Sequence, residues 1–131
     1  MVKYYVREGK NPKTGAAMFF GQIDKTNPTL IEDLAEEISH ATTATEADIR
    51  AVITEMQVVM IRHLQSGESL RLGMIGSFCP TMQSTAARLP EEFTEANIKR
   101  IGVAFRPTST MKYSLSAGNP KVKFQRLVEK E

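Results

Sequence analysis

The chain has 131 residues, of which 17 are Lys or Arg and 15 are Asp or Glu, so its formal net charge is +2. Hydrophobic residues make up 41% and charged residues 24%, which fits one folded domain and excludes extensive disorder. The low charge also excludes a polycationic tail. It leaves room for a local basic face, because residues 1–66 carry seven bases and nine acids, whereas residues 67–131 carry ten bases and six acids.

Cysteine use and hydropathy indicate the compartment. Cys79 is the single cysteine, so no internal disulfide can form and a reducing interior is the simplest expectation. The first ten residues contain no apolar stretch of the kind that a secretory signal needs, and the most apolar segment, residues 52–61, is interrupted by polar side chains. We therefore expect a cytoplasmic protein without a membrane segment.

Residues 1–26 predict a β-hairpin. The segment 2–8 is rich in Val and Tyr, which favour strands, and residues 16–23 predict a second strand. Between them, GKNPKTG at 9–15 is rich in turn residues. A lone hairpin is marginally stable in water, so we expect this one to pack on another element.

Two helices are predicted next. Thr29 and Glu32 form a T-x-x-E capping box before apolar residues at helical spacing, and this helix should end near His40. Thr45 is the predicted start of a helix of about 20 residues with a wide apolar face, closed by Gly67. Such a face in a small protein often packs on more than one partner.

The pattern then becomes strand-like. Residues 68–72 alternate between apolar and polar side chains, and residues 77–83 form the return strand after a turn bracketed by Gly73 and Gly76. Pro80 inside the return strand predicts a sheet edge or a bulge, because proline has no backbone N–H to donate.

The last third has no clear period over residues 84–97, then alternates again over residues 98–106 up to Pro107. A short helix capped by Thr108 should follow. Residues 121–128 alternate once more and predict a final strand.

Three stretches in this order match one known pattern. The first is the acidic helix, short link and long apolar helix. The second is ESLRLGMIGSF at 68–78, with its G-x-x-G-S-F element, and the third is IKRIGVAFRPTSTMKYSL at 98–115. Together they resemble the HU/IHF family of bacterial histone-like, DNA-bending proteins. The added N-terminal hairpin and C-terminal strand are similar to those of variant HU-like proteins of the Bacteroides group.

The resemblance implies an α+β, IHF-like fold. Its parts are a helical hairpin, a β-sheet saddle with a β-arm, and a short C-terminal helix, in an intertwined homodimer. We expect one HU-like domain over residues 1–131, with a core at 29–116. The hairpin at 1–26 and the strand at 117–131 are extensions of that core.

The same resemblance implies a non-enzymatic, nucleoid-associated protein that binds and bends double-stranded DNA through the minor groove, with weak sequence preference. It implies no cofactor, metal or small-molecule substrate. The DNA-binding residues that correspond by position are Arg71, Arg88, Pro90, Lys99, Arg100, Arg106 and Lys112.

The arm tip departs from the family pattern R-x-G-R-N-P-x-T-G. The corresponding stretch, STAARLPEEFTEAN, has one base, Arg88, and three acids, and Pro90 is the one proline that could wedge between base steps. Carboxylates repel DNA phosphates. An HU-fold module for protein–protein assembly, with reduced or lost DNA binding, is therefore the alternative.

Other candidate sites carry weaker signals. His40 and His63 have no partner at metal-ligand spacing, and Ser77 does not lie in a G-x-S-x-G elbow. The stretch KNPKTG at 10–15 nearly copies the family's arm-tip string. A hairpin turn explains it most simply, and a displaced DNA-contacting tip is the alternative.

Overall fold

The computed structural model describes residues 1–128, so the end of the predicted 117–131 extension lies outside the described residues. The predicted α+β class is confirmed. The main elements are β1 (Val2–Lys10), β2 (Ala17–Ile23), α1 (Ile31–Ala41), α2 (Glu46–Gln65), β3 (Leu70–Leu72), β4 (Gly76–Ser84), β5 (Ile98–Pro107), α3 (Ser109–Ser114) and β6 (Phe124–Arg126). Two single-turn 3-10 helices, Pro90–Glu92 and Glu95–Asn97, lie between β4 and β5.

These elements form two compact units. One contains residues 1–28 together with the chain from Lys112 onward, and the other contains residues 29–111. Each unit has its own three-stranded sheet. The first sheet has the order β2-β1-β6, and the second has the order β3-β4-β5.

The predicted hairpin and final strand share the first sheet. β1 and β2 are antiparallel from Tyr4 opposite Ile23 to Lys10 opposite Ala17, and β6 pairs in parallel with the start of β1. The two extensions therefore pair with each other and add no strand to the β3-β4-β5 sheet.

The final strand is shorter than predicted. Asn119 holds the chain before β6 in a turn: its Oδ1 accepts from the Lys121 N–H at 2.9 Å, and its carbonyl accepts from the Val122 N–H at 3.0 Å. Asparagine side chains commonly compete with sheet bonding in this way. Residues 121–123 therefore belong to the turn and its exit, and the strand spans only Phe124–Arg126.

The start of α1 also differs from the prediction. The helix begins at Ile31 after Leu30, so Thr29 and Glu32 do not form its capping box. Instead the Asp33 carboxylate accepts from the Leu30 backbone N–H at 2.9 Å. An acidic side chain in the first turn is also favoured by the helix dipole.

The ends of α2 agree with the sequence analysis. Thr45 Oγ1 accepts from the Asp48 N–H at 3.2 Å, as an N-cap does. Gly67, at φ +80°, follows the last turn, and the Glu68 N–H reaches back to the His63 carbonyl at 3.1 Å. This is the Schellman arrangement, which favours glycine at that position.

The β3-β4-β5 sheet has one open side. β3 pairs only with residues 76–78 of β4, so Pro80 lies beyond the end of β3 while it pairs with Val103 on the other side. The predicted edge position of Pro80 is therefore confirmed. The irregularity in the ladder lies further along, between Gln83 and Ser84.

The unit of residues 29–111 has very little core of its own. Among the described residues, Ala35 and Ile49 are the buried hydrophobic side chains. The wide apolar face predicted for α2 is partly covered: Ile49 is buried, Ile53, Val59, Met60 and Leu64 are half-buried, and Val52 and Met56 are exposed. Val58 and Ile61 are exposed elsewhere on α2, and Ile101, Val103 and Phe105 are exposed on the apolar face of β5.

Candidate nucleic-acid interface

Three polar residues form a row across the β3-β4-β5 sheet. Ser77 of β4 lies opposite Arg71 on one side and opposite Arg106 on the other. Paired residues in adjacent strands project from the same face, so one hydroxyl lies between two guanidinium groups. These side chains and their neighbours line an open hollow of about 490 Å³.

The opposite face of the same sheet is apolar. Phe78 and Phe105 are paired there, with ring centroids 5.1 Å apart. Strand alternation thus separates an arginine face from an aromatic face. We call the first the basic face, defined by Arg71, Ser77, Cys79, Thr81, Gln83, Arg100, Gly102, Ala104 and Arg106.

Small residues occupy the middle of the basic face. Cys79 lies opposite Ala104, and Thr81 lies opposite Gly102. A Cβ added at Gly102 would lie only 2.9 Å from Thr81 Oγ1, so glycine fits this position closely. A strip of small side chains with arginines beyond both ends lets a rigid anionic surface approach the sheet.

Arg100 marks the far end of this face. Its Nε donates to Gln83 Oε1 at 2.7 Å across the β4–β5 ladder. This bond anchors the guanidinium to β4 through its inner nitrogen. Arg100 and Arg106 are six residue steps apart along β5, a distance of about 20 Å at the usual rise per residue.

Lys99 does not belong to this row. Gln83 pairs with Arg100 and Ser84 pairs with Ile98, so Lys99 is the residue skipped at the bulge. Alternation therefore does not put its side chain in register with Arg100 and Arg106.

The arm tip is a closed, hydrogen-bonded loop. The Thr85 N–H donates to the Asn97 carbonyl at 2.8 Å, and the Asn97 side chain donates to Thr85 Oγ1 at 3.0 Å. Pro90 begins one of the two 3-10 turns, and Arg88 is exposed just before it. Both residues lie beyond the Ser84 end of the ladder, far from the Arg71–Ser77–Arg106 row.

Lys112 is exposed on α3, in the other compact unit. The helix start agrees with the sequence analysis, because Thr108 Oγ1 accepts from the Met111 N–H at 3.1 Å. The helix ends at Ser114.

Ser77, Thr81 and Gln83 were not among the predicted site residues. Their positions on one face of β4 follow from the alternation of a strand, but their place in the basic face depends on which β5 residues they oppose. A register cannot be read from one strand alone.

The structure also bears on the weaker candidates. The Gly15 N–H donates to the Asn11 carbonyl at 2.8 Å, so residues 10–15 form the hairpin turn between β1 and β2. His63 contacts Glu68 through Nδ1. Within residues 1–128, no three His, Cys, Asp or Glu side chains cluster as metal ligands, and no helix is long and apolar enough to cross a membrane.

Comparison with known families agrees with this arrangement. Residues 1–124 match the HU-HIG family, described as an HU domain fused to wHTH, Ig, or glycine-rich motif. The chain belongs to this family. The predicted HU-type resemblance is thereby confirmed.

Two solved structures share the fold. One is a candidate DNA-binding protein of Bacteroides vulgatus, with a TM-score of 0.68 and 13% identity over 96% of this chain. The match covers 48% of that protein, so this chain spans about half its length. The other is Anabaena HU, solved with DNA, with a TM-score of 0.54 and 18% identity over 68% of this chain and 99% of that one. No curated protein matches the sequence.

Proposed function

We propose that this chain is a non-enzymatic, HU-like DNA-binding protein of the bacterial nucleoid that works as a homodimer. The observation that carries the proposal is the Arg71–Ser77–Arg106 row, with Arg100 on the same face of the sheet. Two guanidinium groups around a hydroxyl suit a phosphate, because guanidinium binds phosphate oxygens through paired N–H donors.

The contacts would be to the DNA backbone, which explains weak sequence preference. Ala104 and Gly102 have no polar side chain with which to read base edges. Each phosphate neutralised releases counterions, so affinity should fall steeply with salt.

The exposed apolar side chains of α2 and β5 support the proposed homodimer. Val52 is 68% exposed on α2, and Val103 is 57% exposed on β5. Leaving such side chains in water sacrifices the burial that stabilises small domains. A second copy packed on these faces, as in the intertwined dimer that the family resemblance implies, would bury them.

The arm tip would enter the minor groove, with Pro90 as the wedge between base steps. Arg88 is the one base of the tip. Lys99 and Lys112 would add contacts to the DNA backbone outside the basic face.

A salt titration of binding to random-sequence duplex DNA tests the proposal. Arg71→Gln and Arg106→Gln should each lower the slope of log affinity against log salt by about 1.8, because each substitution removes one phosphate contact from each of the two protomers and one contact contributes about 0.9. The matched control is Arg62→Gln, which removes one positive charge from the exposed last turn of α2. If the basic-face variants keep the original slope, the sheet is not the DNA surface.

The acidic tip favours a second candidate, a protein–protein assembly module. Glu91, Glu92 and Glu95 lie in the two 3-10 turns of a loop closed by Thr85 and Asn97. An ordered loop with three carboxylates suits a basic protein surface better than DNA, because carboxylates repel phosphates. A folded dimer that fails to bind DNA even at low salt would favour this function.

A further inference from the structure

β2 is an edge strand without the usual protection. The sheet order β2-β1-β6 leaves one side of β2 without a strand partner among residues 1–128. Its sequence, AMFFGQI, has no charged residue and no proline, and its register with β1 is continuous. Edge strands normally carry a charged residue, a proline or a bulge, because an open edge without them pairs readily with another strand.

The hydrogen bonds of the hairpin show which backbone N–H and C=O groups of β2 point towards β1 and which point outward. The Asp24 N–H donates to the Lys3 carbonyl at 2.8 Å, and the Asn11 N–H donates to the Ala16 carbonyl at 2.9 Å. Bonded and non-bonded pairs alternate in an antiparallel ladder. Met18, Phe20 and Gln22 therefore direct their backbone groups towards β1. The residues that direct their N–H and C=O groups outward are Ala17, Phe19, Gly21 and Ile23.

We infer that this edge pairs antiparallel with β2 of a second copy, about a two-fold axis at Phe20. Outward-directed residues must pair with outward-directed residues. The register centred on Phe20 meets that requirement and uses all seven residues. It sets Phe19 opposite the partner's Gly21, and Ala17 opposite the partner's Ile23.

Side-chain size and charge both fit this register. Each bulky outward-bonding residue meets a small one, so the Phe19 ring can lie over the glycine of the other copy. Phe19 is 68% exposed and Ile23 is 59% exposed, so both have surface to bury. The strand carries no charge, and two copies therefore meet without like-charge repulsion.

The contact is small and should be weak on its own, because one strand pair buries less than a standard interface. The β2–β2 contact has a higher effective affinity when the copies are already joined through another interface. A dimer formed through the helices would present two β2 edges. Repeating both contacts would then link dimers into open chains, as alternating interfaces do when they do not close.

Disulfide cross-linking of the full chain tests the register. Phe20→Cys in a Cys79→Ser background sets the new thiol opposite itself in a non-hydrogen-bonded pair, within disulfide range. Met18→Cys in the same background is the matched control. It lies on the same face, but the two thiols would be about 14 Å apart along the strand.

With oxidised glutathione as oxidant, the Phe20→Cys variant should form covalent dimer at least about ten times faster than the Met18→Cys variant. Equal rates, or no cross-link in either variant, would overturn the inference. Both variants are first checked for native circular dichroism.

A second pair of variants keeps the test independent of cysteine. The parent chain should form species larger than a dimer in sedimentation velocity, and Phe19→Lys, which adds a charge to the edge, should abolish them. Phe124→Lys, on β6 two strands away, should leave them unchanged. Loss with Phe124→Lys alone would point to face-to-face sheet packing and overturn edge pairing. Neither variant alters the basic face, so DNA binding is a separate readout from which failure of the proposed function can be distinguished.

Discussion

Arg100 donates through Nε to Gln83 Oε1, 2.7 Å away, and this bond crosses the β4–β5 ladder at the far end of the basic face. It uses the inner nitrogen of the guanidinium, and in the proposed DNA complex the two outer nitrogens would bind a phosphate. Gln83 would then act as a positioning residue for Arg100, because holding the long arginine side chain in advance reduces the entropy lost on binding.

Removing that bond should weaken DNA binding without removing a charge. We expect Gln83→Leu to lower affinity by about two- to five-fold at fixed salt, while the salt slope stays the same. Arg100→Gln should lower both. Fluorescence anisotropy across a salt series measures the two quantities, and a reduced slope for Gln83→Leu would contradict the positioning role.

Arg106 and Lys99 should contribute unequally, although both lie on β5. Arg106 belongs to the row with Ser77, whereas Lys99 is the residue skipped at the bulge. We expect Arg106→Glu to reduce affinity by about ten-fold or more, and Lys99→Glu by only a few-fold. The double variant should abolish binding at physiological salt. Equal losses for the single variants would contradict the assignment of Arg106, and not Lys99, to the basic face.

The sequence predicted the basic face in part. Arg71 and Arg106 were predicted by their positions in the stretches that resemble the HU/IHF family, 68–78 and 98–115. Gln83 could not be predicted, because its role depends on the register between β4 and β5. Lys99 remains a predicted DNA contact, and its position at the bulge could not be predicted, since a bulge changes the alternation without a clear local signal.

The same reasoning explains the rest of the fold. Thr45 and Gly67 mark helix ends by local chemistry and were predicted correctly. The pairing of β1 with β6 joins segments more than a hundred residues apart, and no local pattern encodes such a contact. Leu30 replaced Thr29 at the start of α1 because Asp33 supplied a competing hydrogen bond.

Pro90 offers a test that separates DNA bending from DNA binding. It begins a 3-10 turn in the exposed arm tip, away from the arginine row. If it wedges between base steps, Pro90→Ala should reduce the DNA bend angle while affinity changes by less than about three-fold. Energy transfer between the ends of a labelled duplex measures the angle. Identical bends for both proteins would remove Pro90 as a wedge.

The apolar face of β5 provides a test of the homodimer. Val103 is 57% exposed, so Val103→Asp should cost the isolated fold little but should disrupt a partner packed on this face. Sedimentation velocity in a Phe19→Lys background, which excludes β2 pairing, should show a shift to monomer. Thr81→Asp, on the opposite face of the same sheet, should stay dimeric. A stable folded monomer for the parent chain would contradict the proposed dimer.

Gly76 links the stability of the sheet to the position of Arg106. A Cβ at this buried residue would overlap the Arg106 carbonyl oxygen and lie 2.9 Å from Cε2 of Phe105. Because the carbonyl belongs to the ladder, it cannot move without breaking strand pairing. We expect Gly76→Ala to lower the free energy of unfolding by about 1–3 kcal/mol and to weaken DNA binding.

The control for this substitution is Gly118→Ala, where an added Cβ would have only Ser116 Oγ within reach, at 3.8 Å. Its urea midpoint should stay close to that of the parent chain. The Gly76→Ala midpoint, followed by circular dichroism at the same protein concentration, should fall clearly below both. Coincident unfolding curves would mean that the start of β4 can shift away from Arg106, and that the arginine row is less rigidly held than its packing indicates.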